Sequence, residues 1–245
     1  MLEISDIYES VKDDLSQVEQ HLFEVCRVDL LPLQEMLSYV IEGQGKMVRP
    51  VVTLLASKLY PGPDPKEPIK AATVMELLHL ATLIHDDTVD QAEPRRGRTT
   101  VSSRWGTNIA ILLGDYLFSI AASLACDVGE IAVSRHTAQA IAGAAQGELD
   151  ELLNAFNWQQ TREDYWQRTY HKTGALFSAA AETGAAVSSA PDPVIRAMKN
   201  YGANLGIAFQ VVDDILDFQG TAGEFGKPVG QDLFQGTLTL PSLLL

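Results

Sequence analysis

Two runs of aspartate in the 245-residue sequence share the spacing D-D-x-x-D and lie among apolar residues. They consist of Asp86, Asp87 and Asp90 in the first run, and of Asp213, Asp214 and Asp217 in the second. Because residues four apart lie on one face of a helix, each run would place two carboxylates side by side. Like charges one turn apart destabilise a helix unless a cation lies between them, and magnesium prefers oxygen ligands. The spacing therefore indicates chemistry with divalent metal ions.

A single D-D-x-x-D run has a simpler explanation, because a solvated helix end would accommodate it equally well. Two runs that are both flanked by Leu, Ile, Val and Phe change the comparison, since such clusters cannot face water on all sides. Two facing carboxylate clusters could hold several magnesium ions around one diphosphate. Metal binding is therefore the favoured interpretation of the pair.

Basic residues that lie close to Gly or Pro supply the second half of a diphosphate site. They occur as Lys46 and Arg49, as Arg95 and Arg96, as Lys172 followed by Thr173, and as Lys227. Arginine offers a fork that matches phosphate oxygens, lysine offers a compact charge, and glycine lets backbone N–H groups approach an anion. A surface salt bridge would explain any one of these residues. Their occurrence together with both aspartate runs favours anion binding.

The charge balance limits the classes of partner. Lys and Arg number 18 against 32 Asp and Glu, and the resulting net charge of −14 repels nucleic acid. We therefore expect no nucleic-acid partner. The same field also repels a diphosphate, so a site for one needs local cationic side chains, bound metal ions, or both.

Cysteine content and hydropathy indicate a soluble protein of the cytoplasm. Two cysteines occur, Cys26 and Cys126, without C-x-x-C spacing, so neither a disulfide framework nor a zinc site is indicated. Residues 1–10 lack the basic start and the apolar run of a signal peptide. The longest apolar stretch, 108–126, is interrupted by Asp115, which favours a buried helix over a membrane span.

Apolar residues recur at intervals of three and four along most of the chain, which predicts helices. The predicted helices cover residues 2–22, 48–59, 69–89, 109–125, 131–153, 175–187 and 194–218. Turn signals separate them, and no segment alternates convincingly as a strand. Alanine-rich sequence between 121 and 190 favours close helix packing. We predict an all-α, single-domain helical bundle that spans residues 1–245.

One histidine suggests a different metal chemistry. His79 lies seven residues before Asp86 and thus on roughly the same helix face. Glu76 and His79 form one Glu-x-x-His, a pattern that di-iron helical bundles use in pairs. The sequence contains no second copy, so the di-iron alternative has little support.

Taken together, the motifs resemble those of the trans-isoprenyl (polyprenyl) diphosphate synthases. The matching segments are 85–90 followed by Arg95-Arg96-Gly97, then 114–117, 209–217, 226–233 and 236–241. Segments 85–90 and 209–217 look like the two aspartate-rich motifs of this family. The resemblance runs in order, nearly without gaps, from about residue 43 to the last residues.

The resemblance implies roles for individual residues. The implied metal ligands are Asp86, Asp87, Asp90, Asp213 and Asp217. The implied contacts of the allylic diphosphate are Arg95, Lys172, Thr173, Gln210 and Lys227. The implied contacts of isopentenyl diphosphate are Lys46, Arg49, His79 and Arg96. The implied catalytic residues are Asp86, Asp90, Lys172, Asp213 and Lys227.

The implied reaction is a magnesium-dependent head-to-tail condensation. The allylic C–O bond ionises with assistance from the metal, the isopentenyl double bond attacks the resulting cation, and a proton is lost to the departing diphosphate. Magnesium would neutralise charge on that diphosphate, and a central apolar cavity would keep water away from the carbocation.

The resemblance also bears on product length and assembly. Ala81 and Thr82, one turn before the first aspartate run, should lie beneath the metal site and line the cavity. In this family a bulky aromatic residue there shortens the product, so the small side chains imply a product of geranylgeranyl length or longer. The family is usually homodimeric. Its members usually continue for several helices beyond the Thr-Leu-Pro segment, so we expect this chain to lack those helices.

Three alternatives stay open. A class I terpene cyclase also uses an aspartate-rich motif, but two runs together with Lys46, Arg49 and Arg96 favour a protein that holds two diphosphates. A non-catalytic partner subunit of a heteromeric synthase would be expected to have lost one run, and both are present. A helical scaffold with acidic patches would show no magnesium-dependent binding of a diphosphate.

Overall fold

The computed structural model describes residues 3–43, 45–60, 62, 64–95, 97–219 and 230–245. The first helices are α1 (Ile4–Glu9), α2 (Lys12–Val25), α3 (Leu31–Glu42), α4 (Val48–Ser57) and α5 (Glu67–Val89). A hairpin of β1 (Pro94–Arg95) and β2 (Arg98–Thr99) leads to α6 (Val101–Trp105), α7 (Thr107–Asp127), α8 (Ile131–Leu153) and α9 (Arg162–Thr169). A π-helical turn (Tyr170–Gly174) joins α9 to α10 (Ala175–Val187), which is followed by α11 (Asp192–Gln219), α12 (Gln231–Gln235) and α13 (Leu240–Leu243).

The predicted all-α class is confirmed. The prediction of a single continuous helix at the N-terminus is wrong. The segment predicted as one helix over 2–22 is divided into α1 and α2 by a break at Ser10 and Val11. Val11 turns inward there and is 1% exposed, because the break lets its side chain reach the core. Burial of one apolar side chain thus outweighs helix continuity at this point.

The sequence-based prediction lacks the hairpin, the π-helical turn and five helices, which are α3, α6, α9, α12 and α13. Helix α3 has a proline in its first turn, and α9 begins with a capping box in which Thr161 and Asp164 bond each other's backbone N–H. Both features are helix-start signals that the periodicity of apolar residues does not detect. In the hairpin, Arg95 lies opposite Arg98 across an antiparallel pair, and Gly97 has the positive φ of 75° that the turn requires.

Helix α5 is the centre of the core. Its apolar residues are distributed around the whole helix, which is the pattern of a helix buried on all sides. Ala71, Leu77 and Ala81 are each 0% exposed, and α2, α4, α7 and α10 pack around them. This packing fixes the C-terminal turn of α5, which carries the first aspartate run.

Helix α10 meets two of its neighbours backbone to backbone. A Cβ on Gly184 would lie 2.2 Å from the carbonyl oxygen of Thr53 in α4, and a Cβ on Gly202 in α11 would lie 2.3 Å from the carbonyl oxygen of Phe177. No side chain fits at either glycine without displacing backbone. The second aspartate run, on α11, is therefore carried by a helix seated tightly against α10.

Helix α7 is long and apolar enough to span a membrane by length and composition. The most apolar 18-residue stretch of this helix has a mean hydropathy of 1.9, and 39% of that stretch is buried inside the chain. The buried face includes Leu113, Leu117 and Ala121 and packs against α5, as core helices of soluble proteins do. Ile109 and Leu112 lie on the exposed side. The assignment of this helix to a soluble protein stays a prediction.

Candidate functional site

The first aspartate run lies in the last turn of α5. Asp86 is half-buried and Asp90 is the exposed C-cap residue, whose backbone N–H donates to the carbonyl oxygen of Asp86 at 2.8 Å. Carboxylates at a helix C-terminus face the negative end of the helix dipole, which is unfavourable without a cation. Burial, followed by the negative charge of Glu148, raises the pKa of Asp86 to about 7. This end of α5 therefore carries an excess of negative charge.

The hairpin brings a cation to the same turn. The Arg95 guanidinium donates through Nε to Asp87 Oδ1 at 2.6 Å, and the Asp87 side chain is 9% exposed. Of the first run, Asp87 is thus the residue that holds the hairpin, while Asp86 and Asp90 lie more open to a ligand. Arg96, the other predicted cation of this segment, lies outside the described residues.

The second aspartate run divides into two environments. Asp213 is exposed on α11, and Asp217 is half-buried, with its Oδ2 accepting from the backbone N–H of Asp232 at 3.3 Å. Asp214 is 3% exposed and accepts two hydrogen bonds, from the Tyr165 hydroxyl at 2.6 Å and from Gln210 Nε2 at 2.9 Å. Burial raises the pKa of Asp214, while these two hydrogen bonds act to lower it.

The π-helical turn presents Lys172 and Thr173 between the two runs. The ammonium of Lys172 lies 2.7 Å from Glu151 Oε1 and 3.3 Å from Glu148 Oε2. Burial alone would lower the pKa of Lys172, but Glu151 and Glu148 outweigh it and raise that pKa. The Thr173 hydroxyl donates to Gln210 Oε1 at 2.7 Å. A single-turn π-helix is a frequent device at functional sites, and here it places two predicted ligand contacts side by side.

Lys172 connects the two acidic regions electrostatically. Its positive charge lowers the pKa of Asp86 on one side and that of Asp232 on the other. The pKa of Asp232 nevertheless rises to about 7, first because of burial and then because of Asp217 and Asp214. Helix α8 packs against α5, and the π-helical turn packs against both α8 and α11. The two aspartate runs, far apart in sequence, thus belong to one charged region.

An apolar cavity of about 520 Å³ adjoins this charged region. Asp86 and Glu148 lie in its wall, and apolar side chains of α5, α7 and α8 form most of the remainder. Thr82 lines the cavity as predicted. Ala81 is instead fully buried in the core, so within the described residues Thr82 is the one of this pair that contacts the cavity. Phe118 and Ile141 also line it.

Among the described residues, three predicted isopentenyl diphosphate contacts lie on α4, on α5 and just before α4. Lys46 is exposed, and its backbone carbonyl accepts from the Tyr8 hydroxyl at 2.7 Å. The Arg49 guanidinium lies over the Phe177 ring, 4.6 Å from its centroid. The Phe177 ring in turn lies 5.6 Å from Phe209, the residue before Gln210. His79 is half-buried on α5. Lys227, a predicted contact of the allylic diphosphate, lies outside the described residues.

Several residues of the site were not predicted. They are Glu148, Glu151, Tyr165 and Asp232. Glu148 and Glu151 stand three residues apart on α8, directly after Gly147, and this i, i+3 acidic pair beside a helical glycine is the signal that was available. Nothing local marks Tyr165, because its partner is 49 residues away.

The carboxylates fit a hard divalent cation. Among the described residues, no three His, Cys, Asp or Glu side chains lie close enough to hold a metal ion by themselves. Magnesium, however, is usually bound by one or two carboxylates together with substrate phosphates and water. Asp86 and Asp90 offer such an oxygen pair, and the raised pKa of Asp86 marks negative charge that a cation would relieve.

Comparison with known sequences gives a consistent result. The sequence model of the polyprenyl synthetase family matches residues 31–245. Heptaprenyl diphosphate synthase component 2 of Geobacillus stearothermophilus is 35% identical over 243 residues, which cover 99% of this chain and 75% of that protein. Octaprenyl diphosphate synthase of Escherichia coli is 31% identical over 242 residues, which cover 99% of this chain and 75% of the relative.

Solved structures agree with these sequence relatives. A decaprenyl diphosphate synthase from Rhodobacter capsulatus superposes with a TM-score of 0.91 at 37% identity, covering 98% of this chain and 74% of that one. A polyprenyl synthase from Caulobacter crescentus, complexed with calcium and isoprenyl diphosphate, superposes with a TM-score of 0.93 at 31% identity, covering 99% and 74%. The chain therefore belongs to the polyprenyl synthetase family and is a prenyltransferase with the all-α fold of these enzymes.

Proposed function

We propose that this prenyltransferase condenses isopentenyl diphosphate head to tail with an allylic diphosphate, in a magnesium-dependent reaction that yields an all-trans product of geranylgeranyl length or longer. One observation carries the proposal: Asp86 and Glu148 lie in the wall of an otherwise largely apolar cavity. Such a cavity suits a molecule with a charged head and a hydrocarbon tail. The hepta-, octa- and decaprenyl names of the relatives support a long product.

The metal assignment rests on the donor set. Asp86, Asp90, Asp213 and Asp217 would hold magnesium, with Asp87 contributing to the first cluster while it holds Arg95. The solved Caulobacter crescentus relative contains calcium and isoprenyl diphosphate, which supports a divalent cation beside a diphosphate. When bound, magnesium supplies positive charge to the leaving diphosphate.

The side chains of this chain bind and orient the allylic diphosphate. Lys172 and Arg95 provide cations near Asp86, and both act to lower its pKa. Thr173 and Gln210 are already hydrogen-bonded to each other at 2.7 Å, so they form a preorganised polar surface. Lys227 completes the proposed set. The departing diphosphate, held by these groups, accepts the proton lost at the end of the condensation.

Isopentenyl diphosphate would bind at Lys46, Arg49, His79 and Arg96. The cation–π contact of Arg49 with Phe177 orients its guanidinium, the group whose planar fork matches phosphate oxygens. Phe177 also contacts Phe209 beside Gln210. This aromatic pair thereby connects the proposed isopentenyl site with the proposed allylic site.

The apolar walls exclude water from the reacting carbons. Ile141, Leu149 and Leu152 of α8 face Ile111 and Phe118 of α7 across the cavity. A carbocation formed there meets hydrocarbon rather than water, which favours attack by the isopentenyl double bond over hydrolysis. We also place the enzyme in the cytoplasm, as the acidic composition and the two free cysteines favour.

We propose a homodimer as the working form. Leu149 and Leu152 line the cavity and are still 58% and 53% exposed, and Leu112 and Leu153 nearby on α7 and α8 are 67% and 82% exposed. Four leucine side chains that are each more than half exposed favour contact with a protein partner. A heteromeric assembly is the second candidate, because one relative is named as component 2 of its synthase. Light scattering and activity of the purified chain alone distinguish the two.

The decisive experiment is incubation of the purified chain with isopentenyl diphosphate and allylic primers of increasing length. Prenyl transfer with magnesium and none with chelator is the expected result, and product length is read by mass spectrometry. Asp86→Asn should abolish transfer, whereas Asp13→Asn on the exposed face of α2 should not. Transfer that persists in chelator, or that survives Asp86→Asn, would contradict the proposal. Cyclised hydrocarbon without use of isopentenyl diphosphate would instead indicate a terpene cyclase.

A further inference from the structure

A continuous chain of side-chain hydrogen bonds runs beneath the proposed allylic site. The Thr173 hydroxyl donates to Gln210 Oε1 at 2.7 Å, Gln210 Nε2 donates to Asp214 Oδ1 at 2.9 Å, and the Tyr165 hydroxyl donates to Asp214 Oδ2 at 2.6 Å. The chain begins at a proposed ligand contact and ends at a tyrosine that is 1% exposed. Its centre, Asp214, belongs to the second D-D-x-x-D run but is 3% exposed.

The chemistry of these groups gives the chain one direction. Both side-chain oxygens of Asp214 accept a hydrogen bond, one from Gln210 Nε2 and the other from the Tyr165 hydroxyl, so each neighbour supplies a donor. Gln210 must therefore turn its NH₂ group towards Asp214, which leaves its carbonyl oxygen facing Thr173. Thr173 must then donate to that oxygen. The buried aspartate thus sets the orientation of the Gln210 amide and of the Thr173 hydroxyl.

The same chain ties two segments together. Tyr165 is on α9, Thr173 is on the π-helical turn that continues α9, and Gln210 and Asp214 are on α11, one turn apart. Two cross-links, Tyr165 to Asp214 and Thr173 to Gln210, therefore fix the segment that carries Lys172 against α11.

We propose that Tyr165 and Asp214 are positioning residues, which hold Gln210 and Thr173 in the orientation that receives the allylic diphosphate. This inference rests on the proposed function. It divides the second aspartate run by role: Asp213 and Asp217 would hold the metal, and the buried Asp214 orients the polar surface. Tyr165 contributes through its hydroxyl group, and its ring places that hydroxyl beside the buried Asp214.

The test compares Tyr165→Phe and Asp214→Asn with the unchanged chain. Tyr165→Phe deletes one hydroxyl, and Asp214→Asn keeps the shape but allows the Gln210 amide to turn over. We expect each variant to raise the KM for the allylic primer and the Kd for inorganic pyrophosphate with magnesium, measured by calorimetry, by about tenfold, the lower end for loss of a hydrogen bond to a charged group. The KM for isopentenyl diphosphate should stay within about twofold.

A matched control separates positioning from simple destabilisation. The Ser178 hydroxyl is buried on α10 and donates to the carbonyl oxygen of Lys199 in α11 at 3.1 Å, so Ser178→Ala removes another buried hydrogen bond to the same helix. This variant should lower the Tm without changing either ligand constant. A Tyr165→Phe variant that behaves like Ser178→Ala would overturn the inference, and so would an Asp214→Asn variant with unchanged pyrophosphate affinity.

The proposed function and the positioning role predict different negative results. If the unchanged chain neither transfers prenyl groups nor binds magnesium pyrophosphate, the proposed function is wrong. If the unchanged chain does both, and Tyr165→Phe and Asp214→Asn do so with unaltered constants, the proposed function stands and the positioning role is wrong. If Tyr165→Phe fails to fold, the pyrophosphate affinity of Asp214→Asn alone tests the positioning role: a weakened affinity supports the role and an unchanged affinity overturns it.

Discussion

Gly147 on α8 lies directly against the backbone of Lys172: a Cβ on this glycine would be 2.5 Å from the Lys172 nitrogen and 2.8 Å from its Cα. The contact lets α8 approach the π-helical turn so closely that Glu148 and Glu151 reach the Lys172 ammonium at 3.3 and 2.7 Å. One missing side chain thus determines the charge pairing at the centre of the site.

We therefore expect Gly147→Ala to lower the free energy of unfolding and the activity together. Replacing a helical glycine by alanine normally stabilises a helix by about 1 kcal/mol, but the forced displacement of backbone should reverse the sign, to a loss of about 1–3 kcal/mol. Urea denaturation measures the loss. Gly143→Ala, one turn earlier, meets the Ala175 methyl at 3.0 Å rather than backbone and should lose less. Equal effects at both positions would contradict this account.

The ion pairs of Lys172 should behave as a coupled unit. Lys172→Met removes the nearest cation from Glu148 and Glu151, 17% and 19% exposed, and leaves Arg168 Nε 3.9 Å from Glu151 Oε2. We expect a loss of about 1–3 kcal/mol in the free energy of unfolding at pH 8. The loss should be smaller at pH 5, because burial raises the pKa of Glu148 and its protonated form needs no cation.

A double-mutant cycle tests this coupling. In the Lys172→Met, Glu151→Gln double variant one of the two carboxylates that have lost Lys172 is removed, so part of the lost stability should return. Strictly additive losses in the two single variants and the double variant would show that the pair contributes nothing. Arg162→Met, an exposed cation on the first turn of α9, serves as the control for loss of a positive charge.

The parts of this site that sequence reasoning found are those that depend on local spacing. Asp86 and Asp90 share a face because they are four residues apart on one helix, and the apolar periodicity of α5 made that helix predictable. Lys172 and Thr173 were found as a basic residue and its neighbour directly before Gly174, which is also a local signal. None of these inferences requires knowledge of which helix packs against which.

The remaining parts depend on tertiary packing. Asp213 and Asp214 are adjacent and identical in type, yet one is exposed and the other buried, because α9 covers only one face of α11. The partners of Lys172 lie 21 residues or more away on α8 and become visible only once Gly147 is seen to admit close approach. Ala81 and Thr82 differ for the same reason. Consecutive residues of a helix point in different directions, so Ala81 lies in the core and Thr82 lines the cavity.

The raised pKa of Asp86 predicts a pH-dependent penalty in the metal-free protein. Burial, followed by Glu148, raises this pKa from 3.8 to about 7, so the folded state retains a proton that the unfolded state releases. Stability contributed by the protonated form is present below about pH 4 and is lost as the pH rises to about 7. Asp86→Asn removes this loss, so the difference in free energy of unfolding between the variant and the unchanged chain should grow in favour of the variant from pH 4 to pH 7.

Thermal melts without metal check this prediction. At pH 8 Asp86→Asn should be the more stable protein by an amount on the order of 1–2 kcal/mol once solvent screening is allowed for. Magnesium with pyrophosphate should reverse the order, because binding at 100 times Kd stabilises the unchanged chain by about 2.7 kcal/mol. Asp13→Asn, an exposed substitution on α2, should show neither effect. An Asp86→Asn advantage that does not vary with pH would contradict the assignment.

The cavity wall predicts how product length can be changed. Phe118 of α7 lies edge-on to His85, with ring centroids 5.5 Å apart, and both line the apolar cavity. Phe118→Ala removes a ring from that wall, and the growing hydrocarbon gains room, so we expect longer products. Thr82→Phe places a ring in the same cavity from α5 and should shorten them. Mass spectrometry of the products with a fixed allylic primer measures both changes.

Ala81→Phe distinguishes cavity filling from damage to the core. Ala81 is 0% exposed, so a ring there must displace core side chains, and any shortening should be accompanied by a loss of about 1–3 kcal/mol in the free energy of unfolding. Thr82→Phe should shorten products without that loss, because its ring enters existing space. Phe23→Ala, an exposed change on α2, should alter neither stability nor product length. If Phe118→Ala and Thr82→Phe leave the product distribution unchanged, the hydrocarbon grows elsewhere and the cavity between α5, α7 and α8 is not the product site.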